Sequence, residues 1–307
     1  MVNPANNAGL IKGDKQGWLP LRFFVDFLEF LHRNRETIKI ITYDDLDWGN
    51  DFNYEKSYPT EWKNWNTQLK TGARDSDKIC VVIQHDVDAR PEMAMAILNE
   101  EERLGIPSNV MLFHRRINRR HFQKTGELLY TEYDLDMRAL KCLQDKGFVF
   151  CYHCNAFERA LFNVDKAMEI FEADVNALRR HLRVRYFSPH GGARSPEGRT
   201  SNCLPVPESL RRSIRWVANR WTVRFTAYFS DGGPNSSKRD PSERDLRDFV
   251  RSWKPGNRYR VLTHPQYYHS PCKVSPRLSE AVWYNEVLEF YSMKRPGSAW
   301  DEVTVLK

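Results

Sequence analysis

The chain has 307 residues, of which 41% are hydrophobic and 28% are charged, and its formal net charge is +7. This length and composition are typical of a globular protein with a substantial core and exclude a disordered or fibrous chain. No apolar run approaches the roughly 20 residues that span a bilayer, and the N-terminus lacks a signal-peptide pattern, so we expect a cytoplasmic protein without a membrane partner. The six cysteines are scattered, which fits a reducing compartment.

Short apolar runs alternate with amphipathic segments along the chain, beginning with an N-terminal helix. The clearest helix is 91–104, because Pro91 stands in its first turn and Gly105 follows as a C-cap. The predicted strands are 38–43, 79–84, 109–114, 148–152, 185–188, 225–229 and 259–263. The predicted helices are 20–33, 91–104, 134–146, 163–181, 207–220, 241–252 and 276–292.

The regular alternation of strands and helices predicts an α/β fold with a mostly parallel sheet, either open and doubly wound or closed as a barrel. The segment 49–78 is polar and rich in tryptophan, and we interpret it as a loop excursion or as a connection with its own helix. The sequence shows no internal repeat and no linker. We therefore expect one domain over 1–307.

Polar residues follow the predicted strands at their C-terminal ends, and five of the nine histidines lie within about two residues of such an end. Functional groups gather at these ends in parallel α/β folds, because the loops there are free to vary. The residues are His85, Asp86 and Asp88 after the second strand, then His114, His153, His190, Asp231 and His264 after later ones. If the sheet closes, they converge on one rim.

A metal-dependent hydrolase is the chemistry that this set of side chains favours. Imidazole nitrogen and carboxylate oxygen bind zinc-type ions, and a catalytic ion activates water near neutral pH. A second carboxylate then acts as general base and a separate imidazole as general acid. Asp86 and Asp88 suit this division, because residues i and i+2 of an extended segment point the same way. A turn or helix cap before Pro91 would account for one aspartate only.

Two other patterns are weaker. Cys151 and Cys154 form a CxxC, which would suit a structural zinc or a redox pair, but no second pair of cysteines or histidines accompanies it. The basic run HRRINRRH, 114–121, fits a solvated loop or a contact to phosphate on a small anionic substrate. A nucleic-acid partner is not expected, because no nucleic-acid-binding motif is present.

The motifs VVIQHDVDARP, GFVFCYHCNAFE, YFSPHGG, YFSDGG and VLTHPQYY occur in this order along the chain. In their order and spacing the chain resembles the polysaccharide deacetylase family, the NodB-homology hydrolases of carbohydrate esterase family 4, over a core of about 38–293. It is most similar to the divergent branch with HDVD and THPQ motifs. The resemblance implies a distorted (β/α) barrel of about seven parallel strands and metal-dependent removal of an N- or O-acyl group, usually from an amino sugar.

The resemblance also implies roles for single residues. Asp86 would be the general base, Asp88 a metal ligand, and His153 the ligand that opens the HxxxH motif. The second histidine of that motif is replaced by Phe157. The metal would be divalent, with zinc favoured and cobalt, nickel or iron as alternatives.

The third motif departs from the family as well. It reads FSPHG, so the arginine that the family uses to orient its base is absent and His190 stands at the aromatic position. We expect His190 to supply the missing ligand. His85, His114, Asn155 and the absence of any metal remain the alternatives.

The remaining motifs complete the predicted site. Asp231 matches the fourth motif, and His264 matches the fifth, where the family keeps its general acid. We assign substrate contacts to His85, His114, Arg115 and Asp231. The substrate would be an N-acylated amino sugar or similar amide, soluble or nucleotide-linked. The basic run 114–121 would contact the phosphate of a nucleotide-linked substrate. The alternative function is that of a non-hydrolytic protein of the same fold that binds carbohydrate. The sequence leaves the oligomeric state open.

A second acidic cluster, ITYDDLDW at 41–48, competes for the role of first motif. It matches the TFDD form of that motif more literally, but the later motifs have the right spacing only when counted from Asp86. We expect Asp44 and Asp45 to cap the element that follows an early strand.

Overall fold

The computed structural model describes residues 19–46, 77–191, 206–217, 225–231, 245–269, 287, 289–291, 293 and 296–305. Most of the predicted excursion at 49–78 and most of the predicted helix at 276–292 lie outside these residues. Among the described residues, no helix is both long enough and apolar enough to cross a membrane.

The helices of the described residues confirm four predicted helices to within about three residues. They are α1 (Leu21–Arg33), α2 (Pro91–Leu104), α3 (Arg119–Thr125), α4 (Met137–Asp145), α5 (Ala156–Arg159), α6 (Val164–Arg179) and α7 (Leu246–Arg251). Helix α2 has the predicted bounds, with Pro91 at its start and Gly105 in the left-handed region at φ +66°. Glycine adopts this conformation without the steric cost of a side chain, so the helix ends there.

Twelve strands are described. They are β1 (Leu19–Pro20), β2 (Ile38–Ile40), β3 (Ile79–Asp86), β4 (Asn109–Leu112), β5 (Arg116–Ile117), β6 (Tyr130–Thr131), β7 (Val149–Cys154), β8 (Tyr186–Pro189), β9 (Arg215–Trp216), β10 (Ala227–Ser230), β11 (Arg258–Thr263) and β12 (Tyr268–His269). All seven predicted strands are among them, as β2, β3, β4, β7, β8, β10 and β11.

One parallel sheet contains all seven predicted strands and β9. Its order is β10-β11-β3-β4-β7-β8-β9, and β2 also pairs with β3. Strand β11 pairs with β3 from Cys80 to His85, so β2 and β4 share the other edge, β2 beside the beginning of β3 and β4 beside its end. The sheet curls into a half-barrel flanked by helices, which confirms the predicted distorted (β/α) barrel.

The helix predicted over 207–220 is wrong in the described part of that segment. The structure has a short 3-10 turn at Glu208–Leu210 and then strand β9, which pairs with β8. Ile214 and Trp216 are both buried, and the Trp216 ring stacks on Phe187. Residues two apart are buried together in a strand, so pairing with the sheet edge overrides the helical spacing seen in the sequence.

The two faces of the sheet carry different kinds of residue. One face packs against the helices through two large apolar clusters, to which Val81 and Ile83 of β3 and Phe150 and Tyr152 of β7 belong. The other face has a smaller apolar cluster, which includes Val82, Met111, Cys151 and Tyr186. Side chains alternate along a strand, so residues further along β3, β4, β7 and β8 continue this second face beyond that cluster, at the C-terminal edge of the sheet.

The CxxC pair falls on both sides of strand β7. Cys151 belongs to the cluster on the second face, whereas Cys154 belongs to one of the clusters beneath the helices. Residues three apart in a strand point in opposite directions, so the two thiols do not converge on one ion. The minor interpretation of this motif as a zinc or redox pair is therefore wrong.

Candidate metal centre

Three predicted metal ligands meet at the C-terminal edge of the sheet. Asp88 follows β3, His153 is on β7 and His190 follows β8. Their ligand atoms all lie within 4.8 Å of one another. The Asp88 Oδ1 atom is 3.1 Å from His153 Nε2 and 3.6 Å from His190 Nε2.

The donor set fits a divalent metal of the zinc type. It offers one carboxylate and two imidazoles, which is the ligand number of a catalytic site that keeps a position open for water. Ligand atoms about 2 Å from zinc lie roughly 3.4 Å apart in a tetrahedral site, a spacing close to both distances from Asp88. The side chain of Asp88 is 23% exposed, which leaves the group open toward solvent.

The charges at this edge favour a cation. Burial raises the pKa of Asp88, but the imidazoles of His190, His153 and His264 outweigh it and hold the pKa below its usual value. Burial lowers the pKa of His153, yet the carboxylates of Asp86 and Asp88 raise it above its usual value. The carboxylates of Asp86 and Asp88 thus stabilise positive charge on His153, and they would stabilise a bound cation in the same way.

Asp86 is the last residue of β3 and lies beside this group. Its Oδ2 atom is 3.9 Å from His153 Nε2, and its Oδ1 atom accepts a 2.7 Å hydrogen bond from Gln84 Nε2. The Tyr43 hydroxyl donates to the other end of the Gln84 amide. Both Gln84 and Tyr43 are buried, so this chain of contacts fixes one oxygen of Asp86 and leaves the other facing the metal ligands.

His264 follows β11 on the other side of Asp88. Its Nε2 atom is 4.0 Å from Asp88 Oδ2, while its Nδ1 atom and its backbone N–H contact the two carboxylate oxygens of Asp231 at 2.6 and 2.7 Å. Burial lowers the pKa of His264, but Asp231 outweighs it and raises the pKa to about 9. The predicted substrate contact Asp231 is thus placed behind the imidazole, where it orients His264.

Two residues that the sequence analysis did not select contact the site. The ring of Phe113, just beyond β4, stacks on His153 with a centroid separation of 5.0 Å and meets His190 edge-on at 5.1 Å. Gln266 donates from Nε2 to Asp88 Oδ2 at 3.3 Å. Phe113 could have been identified from the alternation of side chains along β4, because Phe113 lies two residues after the buried Met111 and so on the same face.

The structure does not bring His85 to this group. Its Nδ1 atom is 2.5 Å from Thr263 Oγ1, its Nε2 atom is 2.8 Å from Glu101 Oε1, and the residue is 1% exposed. Adjacent residues of a strand face opposite sides, so His85 points away from the face that carries Asp86. The predicted substrate contact is therefore replaced by a structural role between β3 and α2.

His114 is displaced from the site for the same reason. It adjoins Phe113 and points beneath the helices, where its Nδ1 atom is 2.8 Å from Asp174 Oδ1. Asp174 also accepts a 2.7 Å hydrogen bond from the Tyr152 hydroxyl. Asn155, another alternative as third ligand, is 1% exposed and donates to the carbonyl of Arg115.

The basic run 114–121 is used partly to support the site. Arg116 donates to the backbone carbonyl of Asp88 at 2.6 Å, and Arg119 forms a 2.8 Å ion pair with the buried Glu158. Arg115 is exposed, as the expected contact to an anionic substrate requires. Two of the arginines that were candidates for phosphate therefore have partners within the fold.

Asp44 and Asp45, the two aspartates of the second acidic cluster that the structure describes, have partners outside the centre. Asp45 accepts hydrogen bonds from the backbone N–H and hydroxyl of Thr42 at 2.7 and 2.8 Å, which caps the 3-10 turn Tyr43–Asp45. Asp44 pairs with Arg185. The predicted capping role is confirmed for Asp45.

No protein-family model and no curated protein matches this chain at a significant level. Solved structures do. They include the family 4 carbohydrate esterase domain of a multidomain xylanase from the hindgut metagenome of Trinervitermes trinervoides, with 11% identity over 72% of this chain and 84% of that one and a TM-score of 0.34. A family 4 carbohydrate esterase from Bacillus anthracis has 12% identity over 73% and 81% of the two chains, with a TM-score of 0.29.

A third match is a pseudoenzyme of the same family from Bacillus anthracis. It has 16% identity over 70% of this chain and 60% of that one, with a TM-score of 0.30. All three structures are named as members of carbohydrate esterase family 4.

Proposed function

We propose that this chain is a metal-dependent hydrolase that removes an acetyl-type group from an amino sugar or a similar amide. The observation that carries the proposal is the cluster of Asp88, His153 and His190, with Asp86 on one side and His264 on the other. A divalent ion held by the three ligands, zinc by preference, would supply Lewis acidity and activate water for attack near neutral pH.

Asp86 is suited to the role of general base. One of its oxygens is fixed by Gln84, and the other lies at the ligand cluster, where the attacking water would stand. Transfer of a proton from that water to Asp86 generates the nucleophile. The buried contact of Gln84 with Tyr43 takes the place of the arginine that is absent from the third motif, because it restricts the orientation of the carboxylate.

His264 is suited to the role of general acid. Asp231 holds Nδ1, so Nε2 is the nitrogen that faces the cluster. An amide nitrogen leaves only when it is protonated, and an imidazole beside the ligands on the side of β11 supplies that proton. Asp86, at the end of β3, would thus accept the proton of the water, and His264, after β11, would donate the proton to the leaving group.

The experiment that tests this function measures metal and acetate together. The purified chain is loaded with zinc, its bound metal is quantified, and release of acetate from N-acetylated chito-oligosaccharides is followed before and after treatment with a chelator. We expect about one equivalent of zinc, release of acetate, loss of that activity on chelation and recovery on readdition. A loaded chain that releases no acetate from N-acetyl or O-acetyl sugars would contradict the proposal.

A second candidate is a carbohydrate-binding protein without hydrolytic activity. Two departures from the family motifs favour it: Phe157 stands where a ligand histidine is expected, and no arginine opens the third motif. This candidate predicts saturable binding of the same oligosaccharides with no acetate release and no requirement for metal.

Replacing His264 by alanine is expected to lower turnover of an amide more than that of an ester. Nitroaniline needs a proton to leave, whereas nitrophenolate leaves without one, so 4-nitroacetanilide and 4-nitrophenyl acetate form a matched pair of probes. We expect kcat to fall by about 10²–10⁴-fold on the anilide and by a smaller factor on the ester, with bound metal unchanged. Equal losses on the two probes would remove His264 from the role of acid.

A further inference from the structure

Each of the three imidazoles around Asp88 has the same orientation: Nε2 faces Asp88, and Nδ1 faces a protein oxygen, which is within hydrogen-bond range for His153 and His264. The acceptor for His153 is Ser188, whose carbonyl and hydroxyl oxygens lie 3.2 and 3.1 Å from Nδ1. For His264 it is Asp231, at 2.6 Å. For His190 the atom facing Nδ1 is the carboxylate oxygen Oε2 of Glu158, at 3.6 Å.

Among the described residues, Glu158 lies outside the group whose ligand atoms meet. The group of potential ligands consists of Asp88, His153 and His190. The side chain of Glu158 is 0% exposed, and its other oxygen, Oε1, forms a 2.8 Å ion pair with Arg119 Nη2. A buried carboxylate is costly unless it is paired, so Arg119 both neutralises it and fixes one of its oxygens. The second oxygen is then directed at His190.

The position of Glu158 in the chain relates it to the missing ligand. It lies one residue after Phe157, which occupies the place of the second motif histidine, in the short helix α5 that follows β7. Successive residues of a helix point about 100° apart, so the two side chains face different directions. The ring of Phe157 packs edge-on against Phe162, whereas Glu158 faces the histidine that follows β8.

We propose that Glu158 is a positioning residue that prepares His190 to act as the third metal ligand. This inference rests on the proposed metal site. At 3.6 Å the carboxylate acts on Nδ1 through its charge, which favours the tautomer with the proton on Nδ1 and leaves the Nε2 lone pair for the ion. His190 thereby replaces the ligand that the family motif places at position 157, and it is supported in this by Glu158 and Arg119.

The test is the affinity for zinc, measured by competition with a chromophoric chelator, in the full chain and in Glu158→Gln. Glutamine keeps the shape of the side chain but removes the charge. Loss of such a partner typically weakens metal binding by about 10–100-fold, and we expect a loss in that range. An affinity equal to that of the unaltered chain would overturn the proposal.

Glu101→Gln is the matched control. Glu101 is also a buried carboxylate beside an imidazole, 2.8 Å from His85, but on the face of the sheet that packs against the helices. We expect this change to lower the melting temperature and to leave zinc affinity unchanged. A loss of affinity as large as that in Glu158→Gln would mean that both variants act through general destabilisation, and the proposal would fail.

A double-mutant cycle with His190→Ala distinguishes positioning from a structural role. If Glu158 acts through His190, removing its charge has no further effect once the imidazole is gone, so the double variant should match His190→Ala. The same fold-loss in both backgrounds would overturn the proposal. If Glu158→Gln does not fold, the cycle is run with Glu158→Asp, which keeps the charge but withdraws it from Nδ1. Failure of the unaltered chain to bind zinc would refute the proposed function instead.

Discussion

Replacing Asp86 by asparagine is expected to abolish most of the hydrolytic turnover while the fold and the bound metal remain. The amide retains the size of the carboxylate but has no basic oxygen to accept a proton. We expect kcat to fall by about 10²–10⁴-fold, the contribution of a positioned general base. The measurement is kcat on an acetylated probe with bound zinc quantified in parallel.

The acidic cluster that follows β2 provides the control for Asp86. In Asp45→Asn the cap on Thr42 is weakened, so the free energy of unfolding should fall by about 1 kcal/mol, and turnover should stay nearly intact. Asp44→Asn removes the ion pair with Arg185 and should behave similarly. If these variants lose turnover and Asp86→Asn keeps it, the general base has been assigned to the wrong carboxylate.

Replacing Asp88 or His153 by alanine is expected to lower zinc affinity by orders of magnitude. Asp88 is the more central of the two, because one of its oxygens lies within 3.6 Å of both ligand histidines. Removal of one of three protein ligands leaves a coordination position unfilled, and hydrolysis should fall with metal occupancy. Chelator competition gives the affinity, and addition of excess zinc shows whether occupancy alone limits activity.

His114→Ala is the control for the two ligand variants. His114 is also an imidazole beside a carboxylate at a strand end, but it faces Asp174 beneath the helices, away from the ligand cluster. We expect the His114→Ala variant to bind zinc with the same affinity as the unaltered chain. Full metal occupancy in both Asp88→Ala and His153→Ala would show that the ion binds elsewhere.

The sequence by itself determined the order of the elements and the position of the site along the chain. The parallel strands were predictable because their apolar runs are short and each is followed by a polar segment, a pattern that depends on local spacing. Asp86, Asp88, His153, His190 and His264 could be selected because parallel strands end at one edge of a sheet. The motif resemblance added their expected roles.

Only the tertiary structure decided which face of the sheet each side chain occupies. His85 and His114 stand beside Asp86 and Phe113 in the sequence, and a difference of one residue places them on the opposite face, because strand residues alternate. Strand β9 forms where helical spacing was seen, because pairing with β8 outweighs local propensity. Glu158 faces His190 across 32 residues of chain, a contact between two elements for which no local pattern exists. Such contacts depend on how the strands and the short helix after β7 pack together, and this packing is what directs the Nε2 atoms of His153 and His190 toward Asp88.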